Sequence, residues 1–197
     1  AAQETVTVTV LATTDMHGYL LPYDYFAARP APRGLAAAAT LIEGVRRESP
    51  HTLLVDCGDT IQGSPLAAVH QTAVRAGQTS APDPMMLAMN ALRYDAMTVG
   101  NHEFNYGLSN LSAARSHARF PWLSANTVTG EALPAFAPYV VKTVAGVKVA
   151  IVGLSPWTIP EWEKPEHIRG MSWLAPEEGV RRALRELEAE RPDVVIA

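Results

Sequence analysis

Asp15 and His17, then Asp59, then Asn101 with His102 are the side chains whose types and spacing point to chemistry. Carboxylate oxygen, imidazole nitrogen and amide oxygen form a mixed donor set. It suits a divalent ion such as Mn, Zn, Fe or Co and fits poorly with soft sites that lack oxygen ligands. A carboxylate such as that of Asp59 can bridge two ions about 3.5–4 Å apart, and such a pair clamps the attacking and leaving oxygens of an in-line displacement. That chemistry belongs to phosphate esters. His102 directly follows a candidate ligand, so it can aim at the substrate instead, as general acid or as a cation beside phosphoryl oxygens. Each motif alone has a plain structural reading: a solvated Asp-x-His turn, a Gly-Asp turn pair, an Asn-His-Glu helix cap. Three such loops, each following a strand, outweigh those readings together.

The elements that must position these loops alternate between the two periods of regular structure. Residues 5–12 alternate Thr with Val before Leu11, which predicts the first strand. A helix follows over Leu35 to Glu48, a short apolar strand at Leu53-Leu54-Val55, and a helix over Pro65 to Arg75 with proline in its first turn. After a polar loop, Pro84 to Leu92 reads as helix and Ala96 to Val99 as strand. Ser109 is expected to cap a helix to about Arg119, and Phe120 to Ser124 to form a fourth strand. Tyr139 to Thr143 and Val147 to Val152 flank Ala145-Gly146 as a hairpin added to the sheet. Pro176 to Glu190 reads as a helix with Val180, Ala183, Leu184 and Leu187 on its apolar face. Val194 to Ala197 reads as a buried strand just beginning. The pattern predicts an α/β fold, helices layered on a sheet that is parallel at first and mixed near the hairpin. In such a sheet the loops at the carboxyl ends of the strands line one crevice, which lets Asp15, His17, Asp59, Asn101 and His102 meet.

Composition narrows the rest. With 197 residues, 48% hydrophobic and 18% charged, the chain has material for one sizeable core and too little charge for disorder. Sixteen Lys and Arg against twenty Asp and Glu, with no basic block, exclude a non-specific binder of nucleic-acid polymers. No run reaches the roughly twenty apolar residues of a membrane span. The single cysteine, Cys57, cannot form an internal disulfide and is expected to be buried packing. His51, His70, His117 and His167 lie outside the three loops and are read as surface or satisfied histidines. The start at Ala1-Ala2-Gln3-Glu4 leaves open either a cytosolic protein or an export signal already removed, and the end inside an apolar run predicts a fragment.

Asp15-Met16-His17, Gly58-Asp59 and Gly100-Asn101-His102-Glu103 resemble the first signatures of the calcineurin-like metallophosphoesterases. Longer phrases, Ala12 to Gly18, Gly58 to Leu66 and Thr98 to Leu108, are similar to the bacterial nucleotidase group, and within it to the 2',3'-cyclic-nucleotide 2'-phosphodiesterase/3'-nucleotidase branch. Weaker echoes continue at Phe120-Pro121-Trp122, Gly146 to Val149 and Trp162-Glu163-Lys164. The resemblance implies a four-layer α/β/β/α domain, truncated, with residues 1–197 forming the amino-terminal part of the catalytic domain.

It also implies roles. Asp15 and His17 would hold a first ion, Asp59 would bridge, Asn101 would bind a second ion, and His102 would act on the phosphate or leaving group. Glu103 and Asn105 would support these residues from behind. The 5'-nucleotidase branch typically carries Asp where this chain has Asn105, and an amide orients a ring without neutralising it as a carboxylate does. The later histidine and the Gly-His-x-His pair that complete the family's two metal shells do not occur in this chain. The resemblance therefore implies two divalent ions in the complete enzyme and one or fewer held tightly here. It implies a nucleotide or cyclic-nucleotide substrate and a periplasmic or cell-surface location. The alternatives are a 5'-nucleotidase or UDP-sugar hydrolase on the same scaffold, or an inactive metal-binding fragment.

Overall fold

In the computed structural model, which describes residues 5–130, 133 and 135–197, the chain begins with strand β1 (Thr9–Thr13). The predicted strand started at Thr5. The alternation does extend that far, but pairing begins where Thr9 meets Thr52, so residues 5–8 have no ladder partner among the described residues. Residues 1–4, and the expectation about the amino-terminal start, lie outside the described residues.

A small ribbon, β2 (Tyr23–Asp24) and β3 (Arg29–Pro30), leads to helix α1 (Leu35–Glu48) and strand β4 (Thr52–Asp56). Then come α2 (Pro65–Arg75), α3 (Pro84–Ala91), β5 (Ala96–Thr98), α4 (Leu108–His117) and β6 (Trp122–Leu123). The caps explain the sharp starts. The Ser64 hydroxyl accepts the Ala67 N–H ahead of α2, and the Asp83 carboxylate accepts those of Met85 and Met86 ahead of α3. Pro65 and Pro84 occupy the first helical positions, where no N–H is needed. For α4 the cap is Gly107, not Ser109, which lies inside the helix.

Strands β1, β4, β5 and β6 form one parallel sheet in that order. Because side chains alternate across a pleat, neighbouring residues serve different cores. Leu54, Met97 and Trp122 pack under α1, α3 and α4 with Ile42, Met86, Met89 and Leu111. Leu53, Ala96 and Leu123 point the other way, onto Val149 and Ile151.

That second layer is the hairpin. Strands β7 (Thr127–Thr129), β8 (Tyr139–Val144) and β9 (Val147–Val152) follow, then α5 (Ile159–Trp162), β10 (Met171–Trp173), α6 (Pro176–Leu187) and β11 (Val194–Ile196). Ala145 and Gly146 both have positive φ, the two-residue turn that matches strand twist. The hairpin lies outside the four-stranded ladder, joined to its β6 edge among the described residues by a bridge from Leu123 to Ala137, where the Ser124 N–H donates to the Ala137 carbonyl at 2.9 Å. It forms its own three-stranded sheet, β11-β9-β8, stacked on the first. Its outer face carries Ala150 and Val152 against Ala183 and Leu187 of α6, so the layers run α/β/β/α. The buried stripe of α6 is Gly179, Ala183 and Leu187, one turn apart each, while Leu184 is exposed and the helix stops before Glu190.

Two further expectations are corrected. Among the described residues β11 pairs with β9 alone and leaves Val194 and Val195 46% and 41% exposed, so it is an edge strand and not a buried one. Cys57 is exposed: with Val10, Ala12 and Ile196 it lines an opening of about 230 Å³ between the two sheets. No described helix is long and apolar enough to cross a membrane.

Candidate metal centre

The three loops leave β1, β4 and β5 at the same edge, because those strands are parallel. They are then laced together by backbone. Asp15 N–H donates to the Gly58 carbonyl (3.1 Å), His17 N–H to that of Asp59 (2.9 Å) and Gly18 N–H to that of Thr60 (2.8 Å). To lie along this seam Asp15, His17 and Asp59 all take left-handed φ of 52°, 48° and 60°. Such backbone costs about 1–3 kcal/mol per residue and persists where surrounding structure over-determines it. Gly58 is needed outright. Its φ is 93°, and a Cβ there would stand 2.8 Å from the Thr98 carbonyl and within 2.9 Å of Gly100 Cα.

Glu103 ties the third loop to the second. Its carboxylate accepts the N–H groups of Asp59 (2.9 Å), Thr60 (2.6 Å) and Gly100 (2.8 Å) with no solvent exposure. Burial pushes its carboxyl up to about 7 against the pull of the Thr60 and Asp59 N–H groups. Asp59 in turn accepts the His102 N–H at 2.9 Å. Beneath them the buried Asp56 carboxylate takes Thr13 Oγ1 (2.5 Å), Thr60 Oγ1 (2.7 Å) and the Gly58 N–H (2.9 Å).

This bracing brings His17, Asp59 and His102 together, with one candidate ligand atom from each lying within 4.8 Å of the others. The His17 and His102 rings meet edge to face, 4.9 Å between centroids. Asp15 joins through His17, its Oδ1 3.7 Å from Nε2. Asn101 opens the one-turn helix at 102–104, directly before His102. The donor chemistry fits a divalent ion. The Gln62 carbonyl lies 3.1 Å from His17 Nδ1, and a carbonyl only accepts, so Nδ1 carries the proton and Nε2 keeps its lone pair on the Asp15 side. His102 also falls within ligand reach, beside the substrate-facing role that its position after Asn101 suggests.

Sequence reasoning missed Asp56 and Glu163. Asp56 sits three residues before Asp59 but reads as the end of an apolar strand. Glu163 falls in the weak Trp162-Glu163-Lys164 echo, but it is fifty-eight positions from Asn105, whose amide it accepts at 2.6 Å, and nothing in that phrase assigns it this role. The four other histidines behave as expected: His51 is exposed, and His70, His117 and His167 neighbour Asp83 or Glu163.

Comparisons with known proteins identify the family. The chain is 38% identical over its whole length to the trifunctional nucleotide phosphoesterase protein YfkN of Bacillus subtilis, of which it spans 14%. It is 35% identical over 83% of its length to a 2',3'-cyclic-nucleotide 2'-phosphodiesterase/3'-nucleotidase of Yersinia enterocolitica, of which it spans 26%. The crystal structure of the calcineurin-like phosphoesterase YfkN superposes with a TM-score of 0.84 at 37% identity, covering 96% of this chain and 60% of that one. The family described as calcineurin-like phosphoesterase matches residues 8–197, and the chain belongs to that family.

Proposed function

We propose that this chain is the amino-terminal part of a metal-dependent hydrolase of nucleotide phosphate esters, with 2',3'-cyclic nucleotides and 3'-nucleotides as the substrate class. The observation that carries the reading is the meeting of His17, Asp59 and His102 at the carboxyl edge of a parallel sheet. Asp15 and His17 would hold one divalent ion, Asp59 would face two, and Asn101 would serve the second. Bound ions of this kind polarise phosphoryl oxygens and supply a nucleophile at neutral pH.

The chain's own residues do the rest. Glu103 fixes the two loops so that Asp59 and His102 keep their spacing. His17 presents Nε2 because Gln62 occupies Nδ1. His102, its Nδ1–H engaged 2.6 Å from Asn105 Oδ1, has Nε2 left to face a phosphoryl or leaving-group oxygen, to which it donates when the ring carries both protons. The likeness to the Yersinia enterocolitica relative, named for cyclic-nucleotide and 3'-nucleotide hydrolysis, supports the substrate class. An exported, periplasmic or cell-surface protein fits the same reading.

The test is hydrolysis of 2',3'-cyclic AMP, 3'-AMP and 5'-AMP by the full-length parent, with Mn or Co added after chelation. Turnover of the first two, lost on chelation, supports the proposal. Turnover of 5'-AMP alone would replace it with a 5'-nucleotidase. For the 197-residue chain the expectation is weak binding of one ion and little turnover. Two tightly held ions and fast turnover would contradict that.

A further inference from the structure

His102 does not end its hydrogen-bonded chain at Asn105. From ring to interior the contacts run from His102 Nδ1 to Asn105 Oδ1 at 2.6 Å, from Asn105 Nδ2 to Glu163 Oε2 at 2.6 Å, and from Glu163 Oε1 to His167 Nδ1 at 3.0 Å. Glu163 Oε1 also accepts the Lys164 N–H at 2.7 Å. The Glu163 side chain is only 6% exposed. Two different parts of the fold meet here: the turn after β5, and the segment that follows α5.

The segment is held in place independently of the contact. Ile159 of α5 is fully buried, and the Glu163 N–H closes α5 on the Ile159 carbonyl. Upstream, Ser155 Oγ donates to the Val99 carbonyl at the exit of β5, so the connection is tethered to the strand that carries His102. At the other end His167 packs against Gly107, where a Cβ would lie 3.6 Å from its Cδ2.

An ionised carboxylate only accepts hydrogen bonds, and this sets the direction of every link. Facing Glu163, Asn105 must present its NH₂, which turns its oxygen to His102. An oxygen beside Nδ1 requires Nδ1 to carry the proton, and the lone pair of the neutral ring then stays on Nε2. We infer that Glu163 is a positioning residue for His102, acting through Asn105 to fix the amide's orientation and hence the ring's tautomer and rotation. The two-residue arrangement, amide then carboxylate, places at one remove the acceptor that a lone aspartate at position 105 would supply directly. Burial works against the charge on Glu163, but the Lys164 N–H, the Asn105 amide and His167 together hold its carboxyl below the ordinary glutamate range, so it is an acceptor at neutral pH.

The kinetic part of the test rests on the phosphoesterase reading, and the spectroscopic part does not. Long-range proton–nitrogen NMR of the metal-free 197-residue chain at about pH 8.5, roughly two units above an ordinary imidazole, reads the His102 tautomer directly. The expected result is a single Nδ1–H tautomer in the wild type and a mixture or the opposite tautomer in Glu163→Ala. Asn105→Asp alone sets two carboxylates against each other and should loosen the ring. Adding Glu163→Gln to it moves the charge one residue toward the ring and lets the new amide donate to Asp, so the double variant should recover the Nδ1–H signal.

In the full-length parent, Glu163→Ala should lower kcat by about 10- to 100-fold with KM changed less than about three-fold, and the double variant should exceed Asn105→Asp alone. If Glu163→Ala is poorly folded, the shape-conserving pair decides. An unchanged tautomer in Glu163→Ala, or a double variant no better than Asn105→Asp in the NMR arm, overturns the inference. A wild type with no turnover on any nucleotide would sink the phosphoesterase reading and leave the tautomer result to decide this one.

Discussion

The carboxylate of Glu103 accepts the backbone N–H of Asp59 at 2.9 Å, so the loop that carries Asp59 hangs on a side chain from the loop that carries Asn101 and His102. The same carboxylate reaches Thr60 and Gly100, and the backbone seam from Asp15, His17 and Gly18 adds the first loop to the braced unit. A brace of this kind lets exposed ligand atoms keep their spacing before any ion arrives.

Glu103→Ala should therefore cost more than its volume. It strands the N–H groups of Asp59, Thr60 and Gly100 in a buried place, and the expected loss is about 3–5 kcal/mol in urea unfolding. Glu103→Gln keeps one acceptor oxygen and should lose roughly half as much. A loss for Glu103→Ala below about 1 kcal/mol would show that the loops are held by their backbone seam alone.

Asp56 should give stability an inverted pH dependence. Burial raises its carboxyl above the ordinary 3.8, with Thr13, Thr60 and the Gly58 N–H pulling down and the Asp15 charge adding to the rise. As pH climbs past 3.8 the unfolded chain releases this proton first, so the contribution of Asp56 is full below that value and declines as pH rises through the folded one. Asp56→Asn keeps an oxygen for Gly58 and Thr60 without the buried charge. Its urea midpoint should equal or exceed wild type at about pH 7 and change less between roughly pH 4 and 7. A variant that is weaker at neutral pH would mean the ionised form is the stabilising one.

Gly58→Ala should push the second loop off the third. The new methyl meets the Thr98 carbonyl at 2.8 Å on backbone of φ 93°. The expected destabilisation is about 2–4 kcal/mol, together with weaker uptake of Mn or Co in calorimetry at a temperature where the variant is still folded. Unchanged ion affinity in a folded variant would separate the loop spacing from the site.

Asp59→Asn in the full-length parent should lower activity more than Asn105→Ala. The former removes a charge that would face two ions, whereas the latter removes a group that orients a ring. Ion binding should fall with Asp59→Asn by about ten-fold or more and stay nearly unchanged with Asn105→Ala. Equal losses of activity with equal ion content would count against a bridging role for Asp59.

The local elements were legible because their signals are local. Helices Leu35–Glu48 and Pro65–Arg75 fall where the sequence places them, since periodicity, proline and capping residues act within a turn or two. The three ligand-bearing loops were legible for the same reason, each a short phrase after a strand. Tertiary structure decided what depends on distant partners. Whether Thr5 to Val8 pair, whether the hairpin joins the first sheet or stacks on it, and whether Val194 and Val195 are covered all turn on neighbours that no local pattern names. Cys57 looked like core because it follows an apolar strand, yet it faces the opening between the sheets. The polar links Glu103–Asp59 and Asn105–Glu163 span 44 and 58 positions. A hydrogen bond needs two groups within about 3 Å, and sequence separation says nothing of that distance until the chain has folded.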